Sequence, residues 1–174
     1  MQSQARQRLS DDHQAVSEIL KQLLSALHNK DVEMSYFRLD LLWARLAVHI
    51  RAEHLHLFPA VVSEFGAAQP IIVHLRADHD FFMRELARAI AVLRALPRRI
   101  VETGDDAKLA AVGDTVREIE KRLVSHNEIE EHQIYRLARI MLTKTEQMEL
   151  ATRIKTELEN RPPRFSEEAW ANSL

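Results

Sequence analysis

Two stretches decide the fold: Arg45-Leu46-Ala47-Val48-His49-Ile50-Arg51-Ala52-Glu53 and Arg122-Leu123-Val124-Ser125-His126-Asn127-Glu128-Ile129-Glu130. Each sets an imidazole and a carboxylate one helical turn apart, on the side that carries the leucine. A carboxylate buried beside an imidazole is costly unless something holds both charges. Its occurrence twice points to a metal centre.

Outward from these stretches, apolar residues recur with helical period almost throughout, and strand-like alternation is missing. The pattern predicts helix one over about residues 9–28, ended by His28-Asn29-Lys30. Asp31 is the expected N-cap of helix two, which runs to about Phe65, stops at Gly66 and is bent or loosened near Pro59. Helix three opens at Pro70 and runs to about Leu96. Helix four runs from Gly104-Asp105-Asp106 to about Leu142, and Thr143-Lys144-Thr145-Glu146 reads as a capping box for a short fifth helix ending near Glu159. Four long helices with short turns make an all-α, antiparallel up-down-up-down four-helix bundle. Residues 1–160 are read as the domain and 161–174 as a tail, loose after Pro162-Pro163, with Phe165 and Trp170 able to dock it.

The bundle is internally repeated. A shift of 66 pairs Asp12-His13 with Asp78-His79 and Leu20 with Leu86; a shift of 77 pairs Leu46 with Leu123, His49 with His126 and Glu53 with Glu130. His13, His49, Glu53, His79, His126 and Glu130 all interrupt inward-facing apolar stripes. Their heights agree as well: His13 lies 17 residues before Lys30 and His49 lies 19 after it, while His79 lies 21 before Ile100 and His126 lies 22 after Gly104. Six polar side chains are thus expected at one level, where two buried carboxylates without a cation would repel each other and take up protons.

Composition narrows the chemistry. Among 174 residues there is no Cys, so disulfides, thiolate nucleophiles and thiolate metal sites are excluded together, while nine His is a high number. Six nitrogen and oxygen donors are too many for one tetrahedral zinc; they suit two octahedral ions sharing two carboxylates, with iron or manganese fitting the donor type. A net charge of −2 gives no basic field for nucleic acid. No apolar run reaches the roughly 18–20 residues that span a bilayer. The opening Met1-Gln2-Ser3-Gln4-Ala5-Arg6 lacks a secretion-signal layout, so a cytoplasmic protein is expected. Monomer and homodimer both remain open.

The pattern His13, His49-x-x-x-Glu53 followed by Leu57-Phe58-Pro59, then Asp78-His79 and His126-x-x-x-Glu130, resembles a hemerythrin-like, or HHE cation-binding, domain over about residues 8–142. The resemblance implies a bundle holding two non-haem iron ions that handle a small diatomic or peroxide ligand. It assigns His13, His49, His79 and His126 as terminal ligands and Glu53 and Glu130 as bridges. Oxygen carriers of this family have a further helix-three histidine where this chain has Leu75, and their last carboxylate falls at the position of Glu131. Glu130 is chosen because the repeat aligns it with Glu53. Fewer histidines favour sensing, reaction with oxygen, peroxide or nitric oxide, or iron handling over reversible carriage.

Other residues carry two readings. His56 is expected to face inward, and with Glu53 it makes one Glu-x-x-His of the kind a ferritin-like oxidase would use; His74 could reach the site only through a local π-bulge. Both read more simply as non-ligands. His54 and His132 lie off the stripe and are expected in solvent, and His28 suits a helix C-terminus. Arg45 and Arg122 could pair with carboxylates near the site, but stems covering the stripe with heads in water is the preferred reading. Asp12 reads as a first-turn charge. Phe82, Leu46, Leu86 and Leu123 are the expected apolar wall.

Overall fold

The computed structural model describes residues 4–62, 68–97, 103–166, 168 and 170. Helix α1 spans Gln4–His28 and α2 spans Val32–Ala52. One π-helical turn, Glu53–Leu57, joins α2 to α3, Phe58–Val62, as a single rod. Helix α4 is Gln69–Ala95. The fourth rod repeats the second: α5 (Thr103–Ile129), a π turn (Glu130–Ile134) and α6 (Tyr135–Met141). Helix α7, Lys144–Leu158, follows. Among the described residues there is no strand. The expected stop at Gly66 lies outside them.

The local signals act as their chemistry requires. Asp31 caps α2, its carboxylate accepting the Met34 N–H at 2.9 Å. Thr143 and Glu146 form the reciprocal capping box of α7. Helix α1 ends on a Schellman turn, with Asp31 N–H bonded to Ala26 O and Lys30 N–H to Leu27 O. Lys30 occupies the left-handed position there, at φ 56°.

Helices α1 and α4 each pack on both α2 and α5, which makes the antiparallel four-rod bundle. Two apolar clusters fill it. One holds Leu20, Leu23, Leu42, Leu46, Phe82, Leu86, Ile119 and Leu123. The other holds Leu9, Phe58, Ile72, Leu75, Ile134 and Tyr135 together with Leu150 and Ile154 of α7. Helix α7 closes this second cluster across α1 and α2 and is pinned to α2 by the Arg51–Glu157 ion pair. The polar residues form the layer between the clusters.

The described tail residues dock through the two aromatics that the sequence marked as able to do so. Phe165 is buried in the first cluster, Trp170 packs against it, and Arg164 binds Asp40 through two hydrogen bonds of 2.9 and 3.0 Å. Burying one aromatic side chain contributes about 1.5–3 kcal/mol, enough to hold a short segment whose ordering would otherwise be unfavourable.

Left-handed backbone costs an ordinary residue roughly 1–2 kcal/mol. The exposed Lys30–Asp106 pair gives back about 0–1 kcal/mol. Lys30→Gly is therefore expected to raise the melting temperature by about 2–4 °C, read by thermal unfolding.

Candidate metal centre

Each of the four rods delivers its polar residues to the layer between the clusters. Glu53 and Glu130 have 0 % exposure, and His13, His49, His79 and His126 are all buried. The imidazoles come in two pairs. His13 Nε2 lies 3.1 Å from His49 Nε2, and His79 Nε2 lies 3.0 Å from His126 Nε2. Each carboxylate divides its oxygens between the pairs. Glu53 sets Oε1 3.2 Å from His49 and Oε2 3.2 Å from His79; Glu130 sets Oε2 3.2 Å from His13 and Oε1 3.3 Å from His126. Two four-residue sets result, His13/His49/Glu53/Glu130 and Glu53/His79/His126/Glu130, sharing both carboxylates.

These donors fit a pair of cations. Two donors at right angles, each about 2.1 Å from a common ion, sit about 3.0 Å apart, close to the spacing within each set. Both oxygens of Glu53 and Oε1 of Glu130 are buried and receive no hydrogen bond, although imidazole nitrogens stand at ion-pair distance. Close approach without hydrogen-bond geometry is what groups arranged around a shared cation show.

Outside the sets, a chain of alternating charge fixes the rings. His49 Nδ1 bonds Asp12 Oδ2 at 2.8 Å, and Arg45 donates to Asp12 Oδ1 through Nε at 2.8 Å. The second half repeats it: His126 Nδ1 to Asp78 Oδ2 at 3.2 Å, and Arg122 Nε to Asp78 Oδ1 at 2.6 Å. An acceptor on Nδ1 fixes the tautomer that leaves Nε2 free for a metal. This corrects two expectations. The Arg45 head is buried on Asp12 and the half-buried Arg122 is bound to Asp78, and Asp12 is not a first-turn charge: the aspartates sit within hydrogen-bond reach of the neighbouring rod. Aromatic rings cover the arginines, Trp170 5.2 Å from Arg45 and Phe81 4.3 Å from Arg122.

Burial alone would lower the His49 and His126 pKa values, but the carboxylates against them prevail and both are raised, His49 well above the ordinary imidazole range. Burial would raise Glu130, yet the His126 and His13 imidazoles at ion-pair distance hold it well below the usual carboxylate range. Asp12 is likewise lowered, by His49 and Arg45 against burial. Burial, then the Glu130 charge, pushes the Tyr135 phenol well up, so it stays protonated and donates to Glu130 Oε2 at 3.4 Å.

The remaining candidates separate cleanly. Glu131 lies at the bundle edge, bound by Arg6 and Ser10 at 3.2 and 3.1 Å, so Glu130 is the buried partner of Glu53. His74 is exposed, with Nε2 3.7 Å from Asp78, and Leu75 is buried in the lower cluster. His56 belongs to neither set, which removes the ligand pair of a ferritin-like site. The π turn explains it: the wider turn carries His56 off the inward face that a regular helix would give it. His132 is exposed, as expected. His54 is not: it is half-buried, with Nε2 2.9 Å from His79 Nδ1, and burial lowers its pKa. Sequence reasoning also missed Tyr135, which stacks on His13 as Phe58 stacks on His79. The shift of 77 relates those two residues and would have found the pair.

The family model for the Hemerythrin HHE cation binding domain matches residues 4–138. No curated protein and no solved structure matches the chain. No helix among the described residues is long and apolar enough to cross a membrane.

The pKa directions fix a pH profile for the metal-free protein. Glu130 and Asp12 contribute stability above the ordinary carboxylate range and lose it as pH falls through their depressed values. His49 and His126 contribute below about pH 6.5 and lose it as pH rises toward their raised values, at about 1.4 kcal/mol per pH unit for each group. Metal-free protein should therefore melt highest near about pH 5–6 and progressively lower toward pH 8.5. Stabilisation by added metal should grow over the same alkaline range, because ligation needs deprotonated imidazoles. Asp78→Asn, which keeps size and removes charge, should weaken metal affinity about 10–100-fold in a chelator competition.

Proposed function

Since this chain belongs to the hemerythrin HHE cation-binding family, we propose that it holds two non-haem iron ions and binds or reacts with a small oxidant, in a sensing, protective or iron-handling role. Oxygen, peroxide and nitric oxide are the ligands considered. One observation carries the reading: two sets of four donors share both carboxylates, each carboxylate giving one oxygen to each histidine pair. A site for one ion has no use for that duplication. Imidazole nitrogen and carboxylate oxygen without sulfur suit iron, with manganese as the alternative.

His13 and His49 would hold one ion, His79 and His126 the other, and Glu53 and Glu130 both. Such a pair supplies up to two electrons and coordination positions for an oxidant. Four donors for each ion leave about two positions of an octahedral shell. With Leu75 in place of a further histidine and His74 turned outward, those positions favour reaction or sensing over reversible carriage. Asp12 and Asp78 hold the rings on which the ions would sit, and Tyr135 keeps a proton directed at Glu130.

Beside the four imidazoles lies a cavity of about 10 Å³ walled by Val16, Leu46, Phe82 and Leu123. That is about the least volume that holds one water, so the walls select by size.

Protein expressed with ample iron should contain two iron atoms per chain and an optical band that changes on reduction and on exposure to air or nitric oxide. Glu130→Ala should abolish the band and His56→Ala should retain it. A wild-type protein that holds one ion or none under those conditions would sink the proposal.

A further inference from the structure

We infer that Asn127 is the threshold by which a small O–H-bearing ligand reaches the cavity beside the histidines, its side-chain carbonyl accepting the ligand's hydrogen. The inference rests on the metal reading above. Asn127 and His13 are the two residues that line both the cavity and a wide groove of about 850 Å³ over α1 and α5. Polar side chains, among them Ser10, Gln14, Glu18 and Glu131, stand on the walls of the groove, whereas the cavity is otherwise imidazole and hydrocarbon. Polar surround and apolar cavity meet at this pair.

Two orphaned atoms mark the meeting point. Asn127 Oδ1 and His13 Nδ1 are both buried with no hydrogen-bond partner in the protein. His79, the counterpart of His13 in the repeat, has its Nδ1 paired with His54. An orphaned amide carbonyl costs about 1–3 kcal/mol, and a leucine of similar size would avoid that cost beside Leu123 and Val16. With Nε2 turned to a cation, His13 Nδ1 carries the hydrogen. The orphans are then one acceptor and one donor, the complement of water or hydrogen peroxide and not of nitric oxide, which has no hydrogen to give.

The test compares full-length wild type with Asn127→Leu and Asn127→Ser, iron-loaded and reduced, mixed rapidly with hydrogen peroxide or nitric oxide. Peroxide takes one electron from each ferrous ion and two protons, leaving two waters. Asn127→Leu should slow this oxidation about tenfold and change nitric oxide binding by less than about twofold. Asn127→Ser, which keeps an acceptor, should retain most of the peroxide rate. Without metal, Asn127→Leu should melt at or above wild type, since an unsatisfied group is gone. Equal slowing with both probes, slowing with neither, or a lower melting point of the metal-free leucine variant overturns the assignment. Wild type that takes up no iron defeats the functional reading instead, and the metal-free melting comparison still judges Asn127.

Discussion

Glu53 and Glu130 have no contact with solvent, and the bundle is organised around making that tolerable. A lone buried carboxylate costs several kcal/mol, and two facing each other would repel until one took up a proton. Here each is met by two imidazoles, the imidazoles of α2 and α5 by aspartates, and the aspartates by arginines. Read outward, the charge alternates at every step, and the last member lies under an aromatic ring near the surface. No single pair closes the account. Removing any member strands the next one in a region where water cannot replace it.

This polar layer also sets the shape of the rods. Both π turns start on the shared carboxylates, with the N–H five residues on donating to Glu53 O and Glu130 O. Pro59 follows the first turn, but no proline follows the second, so proline is not their common cause. Their common member is the buried carboxylate itself. The extra residue in each turn brings Phe58 and Tyr135 under His79 and His13, where a regular helix would continue the stripe differently. Local helix geometry is thus given up where the site needs it, and the lower apolar cluster, closed by α7, supports the departure.

The bundle and the six polar residues were legible in the sequence because both depend on period. Apolar spacing of 3.6 fixes a helix and its inward side, and His49 and Glu53, or His126 and Glu130, are too close in sequence to be misplaced. What escaped depends on neighbours from other rods. Asp12 adjoins His13 in the chain but serves His49 across the bundle, and Arg45 is judged solvent-bound until Trp170 is seen above it. Counting turns sets His54 off the stripe and His56 upon it, because no residue pattern announces the π turn that reverses both. Periodicity sees one helix at a time; partners across a bundle appear only when the helices are packed.

The repeat leaves the two halves similar and unequal, and the inequality bears on chemistry. Where one half has Phe58 against His79, the other has Tyr135 against His13, adding a proton donor within 3.4 Å of Glu130. Where His54 supports His79, the aligned Glu131 turns to Arg6 and Ser10 and leaves His13 Nδ1 unpaired. The half built on α1 is therefore the one with the protic neighbour, the unsatisfied imidazole and the polar groove beside it. The half built on α4 is stacked and supported on the outer side of its ring. On the functional reading proposed above, a ligand would approach from the His13 side, where the groove, the unpaired imidazole nitrogen and the Tyr135 hydroxyl lie together.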